Sequence, residues 1–351
     1  MTNFQYFFEQ YPVNSAPFMH KMLEDYQFRK PFAGMTIAHN VPLTRTTLLK
    51  IACLKASGAS VTVTNPSFIK DSAQCVDALS REGIQFTPLH SLKGSFDFLL
   101  DCGAELIEQC QATQGIVELT RTGAIRYEQL SDSQVPIVSV DDTRLKALET
   151  CLGTGEGVYR AVTELSPEAI ENKRILIFGF GKVGTGIAYY FSQKTDHISV
   201  VDMLPERLSI IESRGYRAIS AELPKQVEQA IKQADVIITA TGIKDILSHS
   251  YEHEWFTRKI LANAGAEDEF GFKFSDNEVL ADKKPVNFAL DEPTLMPFLD
   301  PIFYAHNLAI EDALSNQTAG FRALDKAHDQ AIIQTWAQHH QWTIDQLNDI
   351  F

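Results

Sequence analysis

Residues 175–186 read Ile-Leu-Ile-Phe-Gly-Phe-Gly-Lys-Val-Gly-Thr-Gly, and residues 198–202 read Ile-Ser-Val-Val-Asp. A short apolar run feeds a turn with glycines at 179, 181 and 184, a helical stretch follows, and a second apolar run ends on an acid. A G-x-G-x-x-G triplet alone is weak evidence, but between a strand and a helix it is the fingerprint of a dinucleotide-binding turn. Gly179 permits the tight turn, Gly181 lets backbone approach a pyrophosphate, and Gly184 lets helix pack on strand. The helix N-terminus, with Lys182 and Val183 in its first turn, offers unpaired N–H groups to the diphosphate. Asp202, eighteen residues past Gly184, is placed to accept hydrogen bonds from the adenine-ribose hydroxyls and to repel a 2′-phosphate. That choice of residue selects NAD over NADP, with nearby Arg207 working against the selection.

Outward from this turn, the 351 residues suffice for two domains of ordinary size. A formal charge of −14 argues against a nucleic-acid partner, which calls for clustered Lys and Arg. The sequence has no apolar run near the roughly 18 residues of a membrane span, and its first residues lack a basic, cleavable leader, so a cytoplasmic protein is expected. Five cysteines without a C-x-x-C pair read as reduced core residues rather than disulfides or a metal centre. The histidine pairs 249/253 and 339/340 have no further ligand at suitable spacing, and no metal is expected.

Before the turn, strands are expected at 35–38, 61–64, 84–88, 96–101 and 135–140, with helices at 44–57, 71–82 and 104–112. The small residues Gly153-Thr-Gly-Glu-Gly157 mark a hinge. After Asp202 the pattern gives helices at 205–214 and 225–233, and strands at 236–239, 260–263 and 286–288. Helices at 303–314 and 327–339 close the chain, and the acid-rich Glu267-Asp-Glu269 reads as a solvated loop. The expected fold is α/β, with two Rossmann-like domains joined by hinge helices. A substrate domain covers 1–152, the NAD-binding domain 153–302, and C-terminal helices at 303–351 return to the first domain.

Several segments, in order from Pro31 to Asn307, resemble the S-adenosylhomocysteine hydrolase family. Residues 177–186 are similar to its A-G-Y-G-D-V-G-K-G, Thr239-Ala-Thr-Gly-Ile-Lys-Asp-Ile246 to its T-T-T-G-x-x-D-I, and Asn263-Ala-Gly265 to the start of its N-I-G-H. Glu118-Leu-Thr-Arg-Thr-Gly123 is similar to E-E-T-T-T-G, Val140-Asp-Asp-Thr-Arg-Leu-Lys146 to V-N-D-S-V-T-K, and Val286-Asn287 to V-N-L. The resemblance implies bound NAD, with Thr120 and Thr122 near the nicotinamide ribose, Thr241 and Gly242 under the other ribose and the diphosphate, and Asn263 and Asn287 near the carboxamide. Read from the residues alone, Thr-x-Thr-Gly is equally a strand end and Asn287 a turn residue. Thr44 matches the threonine of the family's L-H-M-T substrate loop.

The departures fall on the substrate side. Pro42 stands where that loop has its histidine, Cys102 where D-D-G-G has its second acid, Leu119 where E-E-T-T-T-G has its second, and Ala266 at the N-I-G-H histidine. Lys146 is retained and is the expected base for a substrate hydroxyl, with Glu149 three residues on and His39 as replacement proton shuttle; His306 is the second histidine candidate. The expected function is redox chemistry, through tightly bound NAD, on a hydroxyl of a small or nucleoside-like molecule, in a homo-oligomer without nucleic-acid or membrane partners. The alternatives are a true adenosylhomocysteinase and a non-catalytic NAD-binding regulator. A 2-hydroxyacid dehydrogenase would share the hinge but needs an Arg and a Glu–His pair that the later strands lack.

Overall fold

The computed structural model describes residues 3–130 and 132–351. The chain divides into two compact units, residues 1–146 with 296–344, and residues 147–295 with 345–351. In the first unit the strands, numbered along the whole chain, are β1 (Thr36–Asn40), β2 (Ser60–Thr64), β3 (Gln85–Phe86), β4 (Gly94–Asp101), β5 (Cys110–Glu118) and β6 (Pro136–Ser139). The second contributes β7 (Ile175–Phe178), β8 (Ile198–Asp202), β9 (Arg217–Ser220), β10 (Val236–Thr239), β11 (Ile260–Asn263) and β12 (Leu280–Pro285). A return segment adds β13 (Gly320–Ala323) to the first.

Both sheets are parallel throughout and both repeat one order. The first runs β3-β2-β1-β4-β5-β6-β13 and the second β9-β8-β7-β10-β11-β12. This is the doubly wound 3-2-1-4-5-6 arrangement, in which the order reverses beside the first strand of each unit and ligands bind beyond the strand carboxyl ends at that reversal. Strands covered on both faces read as continuous apolar runs, and β7 and β10 are buried at every position.

Three expected elements differ. Residues 104–112, read as a helix, hold only a 3-10 turn at Leu106–Glu108 before β5 begins at Cys110. Gly115 explains the pairing: a Cβ there would stand 2.5 Å from the Phe98 ring of β4, so only glycine lets these strands approach. The strand expected at 286–288 is a 3-10 turn, Val286–Ala289, because the edge strand is β12 and ends at Pro285. β1 extends to Asn40, two residues beyond the expected end, which draws His39 into the middle of the sheet.

The Gly153–Gly157 run, expected as a hinge, is helical. A π-turn at Leu148–Gly153 leads into the helix Thr154–Leu165. Its small residues serve packing: a Cβ on Gly155 would meet the Gly186 backbone at 2.5 Å, and one on Gly186 would strike the Cys151 carbonyl. Helix Thr154–Leu165 and helix Lys182–Ser192 therefore cross at backbone distance, burying Val158, Ala161, Ile187 and Phe191 in the core of the second unit.

Candidate functional site

In the second unit the order reverses between β7 and β10. The turn after β7 carries Gly179 at φ +93°, and a side chain there would meet the Ala240 carbonyl at 2.5 Å. A Cβ on Gly184 would collide with the Gly179 carbonyl, whereas one on Gly181 would point into open space. The helix Lys182–Ser192 thus opens on an uncovered backbone, capped by no side chain. That is a cradle for a diphosphate, whose charge the first-turn N–H groups and the helix dipole favour.

Asp202, at the end of β8, is buried and accepts from Phe180 N at 2.7 Å and Leu204 N at 3.0 Å. It holds the glycine turn in shape, and each oxygen keeps a lone pair for a further donor. The Arg207 guanidinium lies 3.5 Å away. After β10, the Thr241 and Gly242 N–H groups and the Thr241 hydroxyl donate to Glu269 at 2.7–2.8 Å. Glu269 is fully buried, so the expected solvated loop holds at exposed Glu267 but not at its third acid. It turns back under the strand ends because the glycine-containing turn needs an acceptor for its orphan N–H groups. Burial raises its carboxyl above the ordinary range, although the Thr241 and Gly242 donors pull the other way. Two positions before it, Glu267 supplies only its carbonyl to Asn263, and Asp268 caps Gly271 N at 3.0 Å and pairs with Lys283 at 3.0 Å. Sequence reading missed Glu269; its one signal is an acid shortly after Asn263-Ala-Gly265.

Asn263 bonds within its own unit: its amide donates to the Gly265, Glu267 and Lys283 carbonyls, and its oxygen accepts from Thr239 Oγ1 at 3.0 Å. Asn287 is buried in the turn after β12 and donates to the Pro293 carbonyl at 3.4 Å. Glu149 sits in the π-turn.

The strand ends of the first unit are built differently. Asp101, closing β4, accepts from Asn40 Nδ2 at 2.9 Å, Cys102 N at 2.8 Å, Leu106 N at 2.9 Å and the Tyr127 hydroxyl at 2.7 Å. Glu118, closing β5, accepts from Gly103 N, Ala104 N, Thr120 N and the Thr120 hydroxyl at 2.7–3.1 Å. Both carboxyls lie at zero exposure, with their oxygens committed to the loops that follow β4 and β5. Burial and the neighbouring Asp101 push Glu118 up to about 7. The positions after each acid are apolar and buried: Cys102 and Leu119 are 3% and 7% exposed. Burial and the Glu118 charge hold the Cys102 thiol well above its ordinary pKa, against the pull of Lys146.

Thr120 caps the helix Arg121–Glu128 by accepting from Gly123 N at 3.2 Å. Thr122 and Thr44 are exposed, and the Thr44 hydroxyl contacts those of Thr46 and Thr47. Lys146 is buried, and its charge acts on Cys102 and His306. His39, expected at a strand edge as a proton shuttle, is wholly buried between β2 and β4, because the longer β1 turns it onto an interior face. His306 is equally buried and bonds the Val117 carbonyl through Nε2 at 3.2 Å.

Comparison with known proteins agrees with this architecture. Residues 152–283 match the family described as S-adenosyl-L-homocysteine hydrolase, NAD binding domain. An adenosylhomocysteinase of Thermotoga maritima is 25% identical over 274 residues, covering 71% of this chain and 66% of its own length. An S-inosyl-L-homocysteine hydrolase of Methanothermobacter thermautotrophicus is 27% identical over 274 residues, covering 71% and 64%. The chain therefore spans just under two thirds of these relatives. Among solved structures, a dipicolinate synthase component from Bacillus halodurans shares the fold at a TM-score of 0.53 and 12% identity, over 81% of this chain and 98% of that one. No helix among the described residues is long and apolar enough to cross a membrane. With the glycine turn, Asp202 and the Thr241–Gly242 turn in place, the second unit is similar to the NAD-binding domain of the S-adenosylhomocysteine hydrolase family, and the chain resembles a divergent relative of that family.

Proposed function

We propose that this NAD-dependent enzyme performs redox chemistry on a hydroxyl of a small or nucleoside-like substrate and is not an efficient adenosylhomocysteinase. One observation carries the reading: Asp101 and Glu118 spend their carboxylates on backbone N–H groups and on the Asn40, Tyr127 and Thr120 side chains, while Cys102 and Leu119 beside them offer no carboxylate. The family resemblance places acids at both neighbouring positions, so the acid–base set for hydrolysis is incomplete. A neutral thiol and an isobutyl group transfer no proton at neutral pH. Loss of one general acid or base costs about 10²–10⁴ in rate, and two such positions, with Pro42 as a third, put hydrolysis outside ordinary turnover.

The residues that remain suit a simpler reaction. NAD supplies the hydride acceptor when bound. Asp202 orients the adenine ribose and favours NAD over NADP, and the open backbone at Gly181 and Lys182 receives the diphosphate. Thr241 and Gly242, drawn down by Glu269, shape the floor beneath it. Lys146 takes the proton of the substrate hydroxyl, and Glu149 assists. Thr120, Thr122, Asn263 and Asn287 complete the cofactor contacts, and Thr44 meets the substrate. His39 has no substrate contact in this scheme.

Mass spectrometry of ligands released from the purified protein, combined with 340 nm absorbance of the bound nucleotide, tests the proposal. NAD together with a hydroxylated or keto small molecule, and no homocysteine thiol released from S-adenosylhomocysteine, is the expected result. Thiol release at ordinary metabolic rates overturns it in favour of the hydrolase reading.

A further inference from the structure

At the edge of the second sheet the backbone takes an unusual path. β11 advances one residue, from Ala262 to Asn263, while its partner β12 advances from Leu280 to Pro285. The surplus is taken up at Ala281, Asp282 and Lys283, whose φ angles are +57°, +55° and +63°. Elsewhere among the described residues the left-handed region holds non-glycine residues only singly. Each L residue there costs free energy, because Cβ crowds the following carbonyl, and of these three only Asp is a type that relieves the cost locally. A run of such residues persists only where its surroundings over-determine it.

Lys283 shows what holds the run in place. Its carbonyl accepts from Asn263 Nδ2 at 2.8 Å, at the end of β11. Its ammonium reaches the Gly271 carbonyl at 3.3 Å, the Phe274 carbonyl at 3.1 Å, Asp268 Oδ2 at 3.0 Å and Asp276 Oδ1 at 3.5 Å. The side chain is 14% exposed, so these bonds are largely shielded from water. One residue thus ties the strand end to the segment 268–276, and the left-handed run is what lets it face both.

That segment carries Glu269. Asp268 accepts from Phe270 N at 3.1 Å and Gly271 N at 3.0 Å through Oδ1, and from Asp245 N at 2.8 Å through its carbonyl. The next residue, Glu269, takes the Thr241 and Gly242 N–H groups. Its seat is close-fitting, since a Cβ on Gly265 would overlap Glu269 Oε1. Bonds therefore run without a break from Lys283 through Asp268 and Glu269 to the turn after β10. Without the ammonium, nothing offsets the cost of the left-handed run, and the segment relaxes away from that turn.

We propose that Lys283 is a positioning residue for the nucleotide: through Asp268 it holds Glu269 under Thr241 and Gly242, and so sets NAD affinity without touching NAD. The proposal rests on the placing of the cofactor floor at Thr241 and Gly242, and its test needs no substrate.

NAD is titrated by calorimetry into the nucleotide-stripped full chain as wild type, Lys283→Met, Glu269→Gln and the double variant, and each is also unfolded by urea. Lys283→Met should weaken NAD about tenfold, within the usual range of coupling between separate positions. Because both residues act through one carboxylate, the double variant should bind within about twofold of Glu269→Gln, whereas independent losses add. Unaltered NAD affinity in Lys283→Met, with only the urea midpoint lowered, makes the residue merely structural and overturns the proposal. Losses that add in full overturn it too, since Lys283 would then act on the nucleotide by its charge alone. Glu269→Gln tests the floor itself. If it binds NAD like the wild type, the floor is misplaced and the proposal falls with it; if it binds weakly while Lys283→Met does not, the proposal falls alone. Should Lys283→Met fail to fold, Lys283→Gln, which keeps a donor and loses the charge, decides by the same comparisons.

Discussion

The two units share one strand order and one point of reversal, yet they use the strand ends in opposite ways. In the second unit the turn after β7 is held open by glycines, and backbone N–H groups face outward from the first turn of Lys182–Ser192. In the first, the ends of β4 and β5 are closed by Asp101 and Glu118, whose oxygens are consumed by the loops that follow. A nucleotide can be recognised by backbone alone, so its site tolerates wide change in side chains. A substrate read by side chains loses its reader when one or two residues change, which is the reading proposed for Cys102 and Leu119. Divergence at about 25% identity has therefore left the cofactor end recognisable while the other end departs from the family pattern.

The largest test of this contrast is Lys146→Met. The substitution retains an apolar stem in a buried position and removes the amine. Reduction of bound NAD by the co-purified ligand should fall by about 10²–10⁴, the usual worth of a general base. NAD affinity should stay within a few-fold. Stopped-flow absorbance at 340 nm and calorimetric titration of NAD measure the two quantities. An active Met variant would remove the catalytic assignment from Lys146 and advance a different base for the same reaction.

The next test separates the interiors. Burial pushes Asp300 up to about 7, from the ordinary 3.8 that the unfolded chain keeps. Between those values the unfolded state has released its proton and the folded state still holds it. The contribution of Asp300 to stability is therefore complete below about pH 3.8 and is lost as pH rises through 7. Asp300→Asn should remove a component of a few kcal/mol from the pH dependence of urea unfolding over that window, since one pKa unit is about 1.4 kcal/mol. The buried histidines act in the opposite sense. Burial holds His39 and His306 well below the ordinary 6.5, so their contribution is present above about pH 6.5 and is lost as acid protonates the unfolded chain first. Hydrogen exchange should localise both effects to the first unit.

What was legible in the sequence follows the same division. The β7 turn, Asp202, and the strands at Val236–Thr239 and Ile260–Asn263 are readable because a glycine in a tight turn or a fully buried strand is dictated by local backbone requirements. The misread segment 104–112 shows the limit. Its apolar spacing suits a helix, but Gly115 packs on Phe98 of the neighbouring strand and the buried Asp101 takes the Leu106 N–H, contacts that apolar spacing does not encode. Glu269 escaped because acids near one another read as solvent-facing until a buried turn is seen to need them. The burial of His39 escaped for a smaller reason: two residues added to β1 carry it from an edge into the sheet. The glycines at 153–157 were visible, but a close crossing of helices and a flexible hinge have the same composition.

At the cofactor end, Asp202→Ala should weaken NAD by about 1–3 kcal/mol, since the ribose loses a charge-assisted acceptor. Part of the loss has a second source, because Asp202 also holds Phe180 N and so the shape of the glycine turn. Comparing NAD with NADP separates the two. Charge repulsion acts only on the 2′-phosphate, so the variant should lose NAD affinity while NADP, free of the carboxylate and near Arg207, loses less or gains. Equal losses for both nucleotides would mean that Asp202 works through the turn alone.

The smallest effect is expected at Cys102, and its smallness is the point. If the strand end of the first unit is closed rather than catalytic, the thiol there fills space beside Asp101 and does nothing else. Burial keeps it protonated and shielded, so it lacks the thiolate character that reactivity requires. Cys102→Ala removes one sulfur from a small buried position and should cost about 1 kcal/mol or less in urea unfolding, with NAD reduction by the native ligand unchanged within twofold. Alkylation of the folded protein by iodoacetamide should leave Cys102 unmodified on peptide mass mapping. A large loss of turnover with stability intact, or rapid alkylation at neutral pH, would show that the first unit keeps a chemical group at this strand end. The contrast between an open cofactor end and a closed neighbour would then have to be redrawn around Cys102.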